Sequence, residues 1–426
     1  VDVPFRYGRL IRDQPCIASD IVRYVGEPVA AVAAVDEYTA EEALKAIQVE
    51  YEPLVPVVDV EEAFCSTAPL IHPELDSYFT SPLIRATPGT NICNTLTIIK
   101  GDVDLAFAQA DMVFEHQFRT PAAQHCCLEP CGAVADISSD GSITVWAGTQ
   151  GSHLLRSMLA EAFDIPVDKV HVIAQHIGGG FGCKSPIHVE AITVALAIQS
   201  GMPVRLVRNR EEEFTDSVTR HATVISMKSG VTRDGRILAR QVRALYDTGA
   251  YARSGPTVIR NSGITAVGPY DVPCARVEVF CVYTNKIPAA GMRGYGVPQF
   301  AWACESHTDM IAHELGIDPV EFRLKNILRN GDENANGEKV KRVAVDRCVQ
   351  QAANLIGWGQ AGLLPDSSRK LRGKGIACIQ KACAGPSESL VVVRLYRAGG
   401  GTVGTRATGM GQGPRSGHVQ IVSAAR

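Results

Sequence analysis

Two hydrophobic rhythms run along this chain. Unbroken or alternating apolar runs mark strands, and apolar positions recurring every three or four residues mark helices. After a turn at Gly26, the apolar stretch 28–35 predicts a buried strand. Thr39-Ala40-Glu41-Glu42 has capping-box spacing, with Ala43, Leu44 and Ile47 following at helical intervals. Residues 49–51 begin another strand, closing a small α+β unit near Phe64. Residues 65–95 lack a period and hold Pro69, Pro73, Pro82 and Pro88, which suits a linker or an extended crossing segment.

Beyond it the pattern predicts a strand over 111–118 and a hairpin of 132–137 with 143–146 around Ser138-Ser139-Asp140-Gly141. A helix over 153–163, a strand over 170–174, a helix over 190–199 ending at Gly201 and a strand over 204–207 follow. A second hairpin pairs 222–229 with 237–246 across Arg233-Asp234-Gly235. Residues 298–315 predict a long helix stopping at Gly316, and Asp318-Pro319 starts another. Residues 330–340 and 357–370 are polar and loop-like, and 390–395 and 402–405 read as strands. No internal repeat or low-complexity tract is evident, and the fold class is α+β.

Composition narrows the function. At ~100–200 residues per domain, 426 residues suggest about two to four domains with room for real cores. Lys+Arg 42 against Asp+Glu 45 gives a net charge of -3, so no basic excess exists to neutralise a nucleic acid. The richest apolar run, 191–198, falls far short of the ~20 residues of a membrane span. None of the 13 cysteines forms a C-x-x-C pair, and the Cys126, Cys127, Cys131 spacing fits neither a zinc ribbon nor an iron–sulfur motif. Reduced thiols in a cytoplasmic protein are the expectation. The chain opens Val1-Asp2-Val3-Pro4 and closes on an apolar segment, 419–426, that reads as a helix just beginning. The expectation is a fragment, or a chain that another polypeptide completes.

Three glycine-rich loops could carry chemistry. Gly178-Gly179-Gly180-Phe181-Gly182-Cys183-Lys184-Ser185 follows a strand, and its glycines let backbone N–H groups approach a ligand without Cβ clashes. It nearly matches a phosphate-binding P-loop, but Cys183 stands where the last glycine belongs. Gly291-Met292-Arg293-Gly294-Tyr295-Gly296 places an arginine before a helix start, which suits an anion. Thr408-Gly409-Met410-Gly411-Gln412-Gly413 is the third. Together they could wrap one bulky phosphate-bearing cofactor. Weaker candidates are Glu305, Asp309 and His313 on one helix face as metal ligands, His125 with Glu129 as an acid–base pair, and Cys183 as a reactive thiol.

Val25-Gly26-Glu27-Pro28-Val29-Ala30, Gln124-His125-Cys126-Cys127-Leu128-Glu129-Pro130, Gly148-Thr149-Gln150, 178–184, 292–299 and 409–413 occur in one order. So do Leu315-Gly316-Ile317-Asp318-Pro319 and Arg323-Leu324-Lys325-Asn326. With these stretches the chain resembles the molybdopterin-binding large subunit of the molybdenum hydroxylases, the family of xanthine dehydrogenase, aldehyde oxidoreductase and nicotinate dehydrogenase. The resemblance implies a partial α/β hammerhead domain at 1–66, a linker at 67–95, a first molybdopterin-binding region at 96–340 and the start of a second at 341–426. It implies that Gln150 hydrogen-bonds an apical oxo ligand, that Phe181 and Gly182 pack over the dithiolene, and that Gly179 and Gly180 line it. Arg293 would lie near the metal, and Met410, Gly411 and Gln412 would form the second pterin loop. Ser185, Asn261 and Tyr295 would face substrate. Purine-oxidising members place charged contacts where this chain has Ser185 and Asn261, which points away from a purine.

The implied reaction is hydroxylation of an electron-poor carbon of an aldehyde or an aromatic or N-heterocyclic ring, with water as oxygen source. The cofactor would be molybdenum with molybdopterin, for which a cytosine dinucleotide form is open. Electrons would leave through 2Fe-2S clusters, and onward to FAD, on partner chains: an iron–sulfur subunit, a flavin subunit and a chain or segment completing the molybdopterin domain. The family's general-base glutamate lies past the third loop, outside this chain, so the chain alone is expected to be inactive. The alternatives are a non-catalytic cofactor-binding or assembly subunit and a P-loop-like nucleotide-binding protein.

Overall fold

Two sheets backed by helices organise the protein. The computed structural model describes residues 6–185, 187–360, 373–381, 390–405 and 407–425. The larger sheet has five strands in the spatial order Ile92–Lys100, Cys274–Tyr283, Ile237–Gly249, Ala222–Val231 and Met112–Thr120. Only Ile237–Gly249 and Cys274–Tyr283 run parallel. The expected hairpin is present, its turn closed by Gly235 at φ +85°. Helices Gly255–Gly263 and Val297–Glu314 pack on this sheet and bury Val258, Ile259, Phe300 and Ile311 against Ile225, Val242 and Val279. Residues 57–78 join the same core through Val57, Ile71, Leu75 and Tyr78.

The smaller sheet runs Val170–Ile173, Ile143–Ala147, Gly132–Ile137 and Val204–Val207. Its first two strands are parallel and joined through helix Ser152–Ala162. Helix Val189–Ser200 crosses the sheet with Val189 to Ala197 all buried, then stops at Gly201, which adopts the left-handed conformation at φ +63°. A helix apolar on every side has to sit inside a core.

Parallel pairing sets where the loops go. Strands Ile143–Ala147 and Val170–Ile173 end side by side, so segments 148–151 and 174–188 leave from one sheet edge. Strands Ile237–Gly249 and Cys274–Tyr283 do likewise for segments 250–254 and 284–296. Ligand sites of sheets with parallel strands lie at such carboxyl ends.

Several local expectations shift. The stretches 28–35 and 49–51 form no ladder among the described residues, and Val35 is 94% exposed. An apolar run becomes a strand only where another strand offers its hydrogen bonds. Helix Glu37–Ala46 is capped by Asp36, whose carboxylate accepts from the Thr39 N–H, and not from Thr39 onward. Strands Ile92–Lys100 and Cys274–Tyr283 and helices Gly255–Gly263 and Val345–Leu355 are not among the elements the sequence pattern predicts above. Strands Val391–Leu395 and Gly401–Thr405 pair only with each other and are largely exposed, with Leu395 at 62%. Residues 361–370 of the second polar stretch lie outside the described residues. Among the described residues no helix is long and apolar enough to cross a membrane.

Burial also fixes a pH response. His72 is buried between the Tyr78 hydroxyl (3.0 Å) and the Ala250 carbonyl (2.7 Å). Burial, with a smaller push from Arg23, lowers its pKa to about 3. In the unfolded chain it titrates near ~6.5. Below that pH the unfolded state takes up a proton that the folded state refuses, so stability falls as pH drops from ~6.5 towards ~3. At pH 5.5 this one histidine is expected to cost about 1.4 kcal/mol relative to alkaline pH. Thermal melts of His72→Gln from pH 7.5 to 5.5 should therefore lose less stability than wild type; identical pH slopes would refute the assignment.

Candidate functional site

The loops from both sheets and the third glycine loop meet around a cavity of about 710 Å³. Gln150 stitches them together. Its N–H donates to the Lys184 carbonyl (2.8 Å), its Oε1 accepts from the Gly182 N–H (2.9 Å), and its carbonyl accepts from the Thr408 hydroxyl (3.1 Å). Across the cavity the Arg293 N–H donates to the Phe181 carbonyl (2.9 Å). Glycine is required at one of these crossings: a Cβ on Gly182, at φ +115°, would stand 2.0 Å from the Gly291 carbonyl oxygen and push the loops apart. A Cβ on Gly180 would stand 2.6 Å from Gln150 Oε1 and displace that amide.

Gln150, Phe181, Gly182, Arg293, Tyr295 and Met410 share the cavity wall with Ser185, Gly411 and Gln412. Gly179 and Gly180 stand behind it, against Phe181 and Gln150. Asn261 is not on the wall: its Nδ2 donates to the Tyr295 carbonyl (2.7 Å), so it positions Tyr295. The Tyr295 hydroxyl is held by Thr257. The Gln412 side chain folds its own loop, accepting from the Met410 N–H (2.7 Å) and donating to the Thr408 carbonyl (2.8 Å). With Gln150 Oε1 committed to Gly182, the Gln150 Nε2 has no partner among the described residues and is free to donate to a ligand.

Other candidates resolve into structural roles. Buried Lys184 donates to Glu129 Oε2 (2.6 Å), which also accepts from the Gly178 N–H (2.6 Å). That ion pair pins the glycine loop and removes the cation a P-loop would present, so the nucleotide reading falls. His125 contacts the Val218 and Gly291 carbonyls (3.1 Å each) and not Glu129. Glu305 and Asp309 hold the buried Arg323 at 2.9 and 2.6 Å, so they are not metal ligands. Cys183 is buried with its sulfur 3.3 Å from that of Cys127, and hydrogen bonding from Cys183 lowers the Cys127 thiol to about 7. Among the described residues no cluster suited to a metal ion forms.

Sequence reasoning missed part of the wall. Arg253, Ser254 and Thr257 come from the segment after strand Ile237–Gly249, and Tyr7, Asp13 and Gln14 from the amino-terminal segment. The Ser254 hydroxyl accepts from the Gly291 N–H (2.7 Å), holding the second glycine loop. Asp13 accepts from the Ala252 N–H (2.7 Å) and the Tyr283 hydroxyl (2.8 Å), and burial raises its pKa to about 6. No motif marks these residues, because their role depends on strand pairing. One signal is visible only in three dimensions: Phe181, Arg253 and Tyr295 are all non-glycine residues at positive φ (+52°, +44° and +53°). Each costs on the order of 1–3 kcal/mol, a strain that concentrates at ligand sites.

Comparison with known proteins agrees with this geometry. Residues 85–327 match the model of the molybdopterin cofactor-binding domain, and residues 2–55 the aldehyde oxidase and xanthine dehydrogenase a/b hammerhead domain. A probable xanthine dehydrogenase subunit from Bacillus subtilis is 37% identical, over 88% of this chain and 49% of that protein. The nicotinate dehydrogenase large molybdopterin subunit of Eubacterium barkeri is 35% identical, over 83% of this chain and 81% of that subunit. The aldehyde oxidoreductase structure from Desulfovibrio gigas superposes with a TM-score of 0.75 at 29% identity, covering 81% of this chain and 36% of that one. The chain thus spans about half the length of the Bacillus relative and most of the Eubacterium one. Ordered glycine loops, their convergence on one cavity and these matches place the chain in the molybdenum hydroxylase family of xanthine dehydrogenase and aldehyde oxidoreductase, as a molybdopterin-binding, mixed α and β member.

Proposed function

We propose that this chain carries the molybdenum cofactor of an oxidoreductase that hydroxylates an electron-poor carbon of an aldehyde or of an aromatic or N-heterocyclic ring, with water as the oxygen source. The observation that carries the reading is the Gln150-stitched cavity. Its walls fit a bulky, anionic cofactor: the space is about 710 Å³, Arg9, Arg253 and Arg293 stand against Asp13 alone, and the Gln150 amide has donors to spare. When bound, the molybdenum–pterin group supplies a Lewis-acidic metal and two-electron redox chemistry.

The chain's own residues then bind and orient. Gln150 would offer its Nε2 as a donor to the cofactor, Phe181, Gly182, Met410, Gly411 and Gln412 would hold the pterin, Gly179 and Gly180 would let the loop come close to it, and Arg293 would contribute charge. Tyr295, its hydroxyl held by Thr257 and its backbone by Asn261, gives planar substrates a rigid face to stack on. Ser185 adds a small polar contact, which favours a ring without purine-like charge pairing.

Removal of the water proton needs a base. The cavity's carboxylate among its described lining residues is Asp13, already occupied by Ala252 and Tyr283. Asp13 is therefore not free to act as that base, and we assign the role to a glutamate contributed elsewhere in the assembled enzyme. In this reading the iron–sulfur clusters and a flavin belong to partner subunits, and the assembly is cytoplasmic.

The assembled enzyme is expected to contain molybdenum in proportion to this chain; metal analysis finding none would overturn the reading. Gln150→Ala should retain molybdenum while turnover falls about 10–100-fold, the usual cost of losing a group that supports a metal centre. Unchanged turnover would refute its role. Arg293→Ala should lower the molybdenum retained after gel filtration, and a normal content would count against that contact.

A further inference from the structure

Arg253 is a buried cation with no carboxylate within ion-pair distance among the described residues. It is 9% exposed, and its guanidinium makes one hydrogen bond, from a terminal nitrogen to the Ile187 carbonyl (2.6 Å). Its Nε has no partner among the described residues. The guanidinium also stacks over the Tyr7 ring, its carbon 5.5 Å from the ring centre. Nearby carboxylates are spoken for: Asp13 by Ala252 and Tyr283, Glu190 by the His188 N–H, and Asp216 by Arg208 and Tyr24. None lies within ion-pair distance of Arg253 among the described residues. A charge taken out of water costs several kcal/mol unless it is paired.

The surroundings give that cation a direction. Arg253 lines the cavity. The charged residues on the wall are Arg9, Arg253 and Arg293 against Asp13 alone. Arg253 belongs to the segment that carries Thr257, which fixes Tyr295, and it directly precedes Ser254, which holds the second glycine loop. It therefore sits with the residues assigned to substrate. A guanidinium offers parallel N–H donors matched to the two oxygens of a carboxylate.

We propose that Arg253 is a specificity-determining residue that pairs with a carboxylate on a planar ring substrate. This rests on the cavity being the substrate site proposed above. The substrate class is then an aromatic or heteroaromatic carboxylate, over neutral aldehydes and neutral rings.

Two probes of equal shape and different charge test it on the molybdenum-loaded enzyme complex. Calorimetric titration should show benzoate binding at least tenfold more tightly than benzamide, with the difference shrinking at high salt. Arg253→Met should abolish that preference, Arg253→Lys should restore part of it, and both should keep the wild-type molybdenum content. Equal binding of benzoate and benzamide to wild type overturns the inference without needing any variant to fold. A benzoate preference that survives in Arg253→Met also overturns it, as does loss of molybdenum in that variant, which would give the guanidinium to the cofactor. Absence of molybdenum from the wild-type complex would instead sink the reading of the cavity itself.

Discussion

The site depends on one close approach. Gly182 must reach the Gln150 side chain with its N–H while its α-carbon lies against the Gly291 carbonyl. The first contact ties the glycine loop to the smaller sheet, and the second brings that loop against the larger one. No residue with a side chain fits there, because the missing Cβ would occupy the carbonyl's own space. The Lys184–Glu129 pair holds the far end of the loop down, so the approach is anchored on both sides.

Sheet topology makes this approach available. Each sheet contributes one parallel strand pair, and each pair delivers two loops to the same edge. The cavity is thus the meeting of two carboxyl-end edges from two separate cores. Rigid cores explain how three non-glycine residues can be kept at positive φ around one cavity. The strain is supported from outside by the packed sheets and would relax in an isolated loop.

Much of this was legible along the chain. Hairpins, helix Ser152–Ala162, helix Val189–Ser200 and the long helix after the second glycine loop each carried a clear period or cap, and Gly201 and Gly316 marked the stops of the last two. Gln150 and the glycine loops were legible because their roles are written in adjacent residues. Strand Cys274–Tyr283 was not, although Ala275, Val277, Val279 and Cys281 alternate as buried positions, because no hairpin turn joins it to either of its partners, Ile92–Lys100 and Ile237–Gly249. Residues 28–35 show the converse, an apolar run without the ladder that would make it a strand. Arg253 and Asp13 escaped notice because long-range pairing alone brings them to the wall. Asp36 took the cap from Thr39 because an earlier carboxylate captured the free N–H.

The exposed ribbon of Val391–Leu395 with Gly401–Thr405 has a further meaning. Val391, Val392, Val393 and Leu395 give it high β propensity, both of its long edges lack a neighbour among the described residues, and two strands alone are marginally stable in water. Such a ribbon is a template for adding strands from whatever polypeptide is near. During production in a cell an edge of this kind is a self-association hazard until another strand covers it.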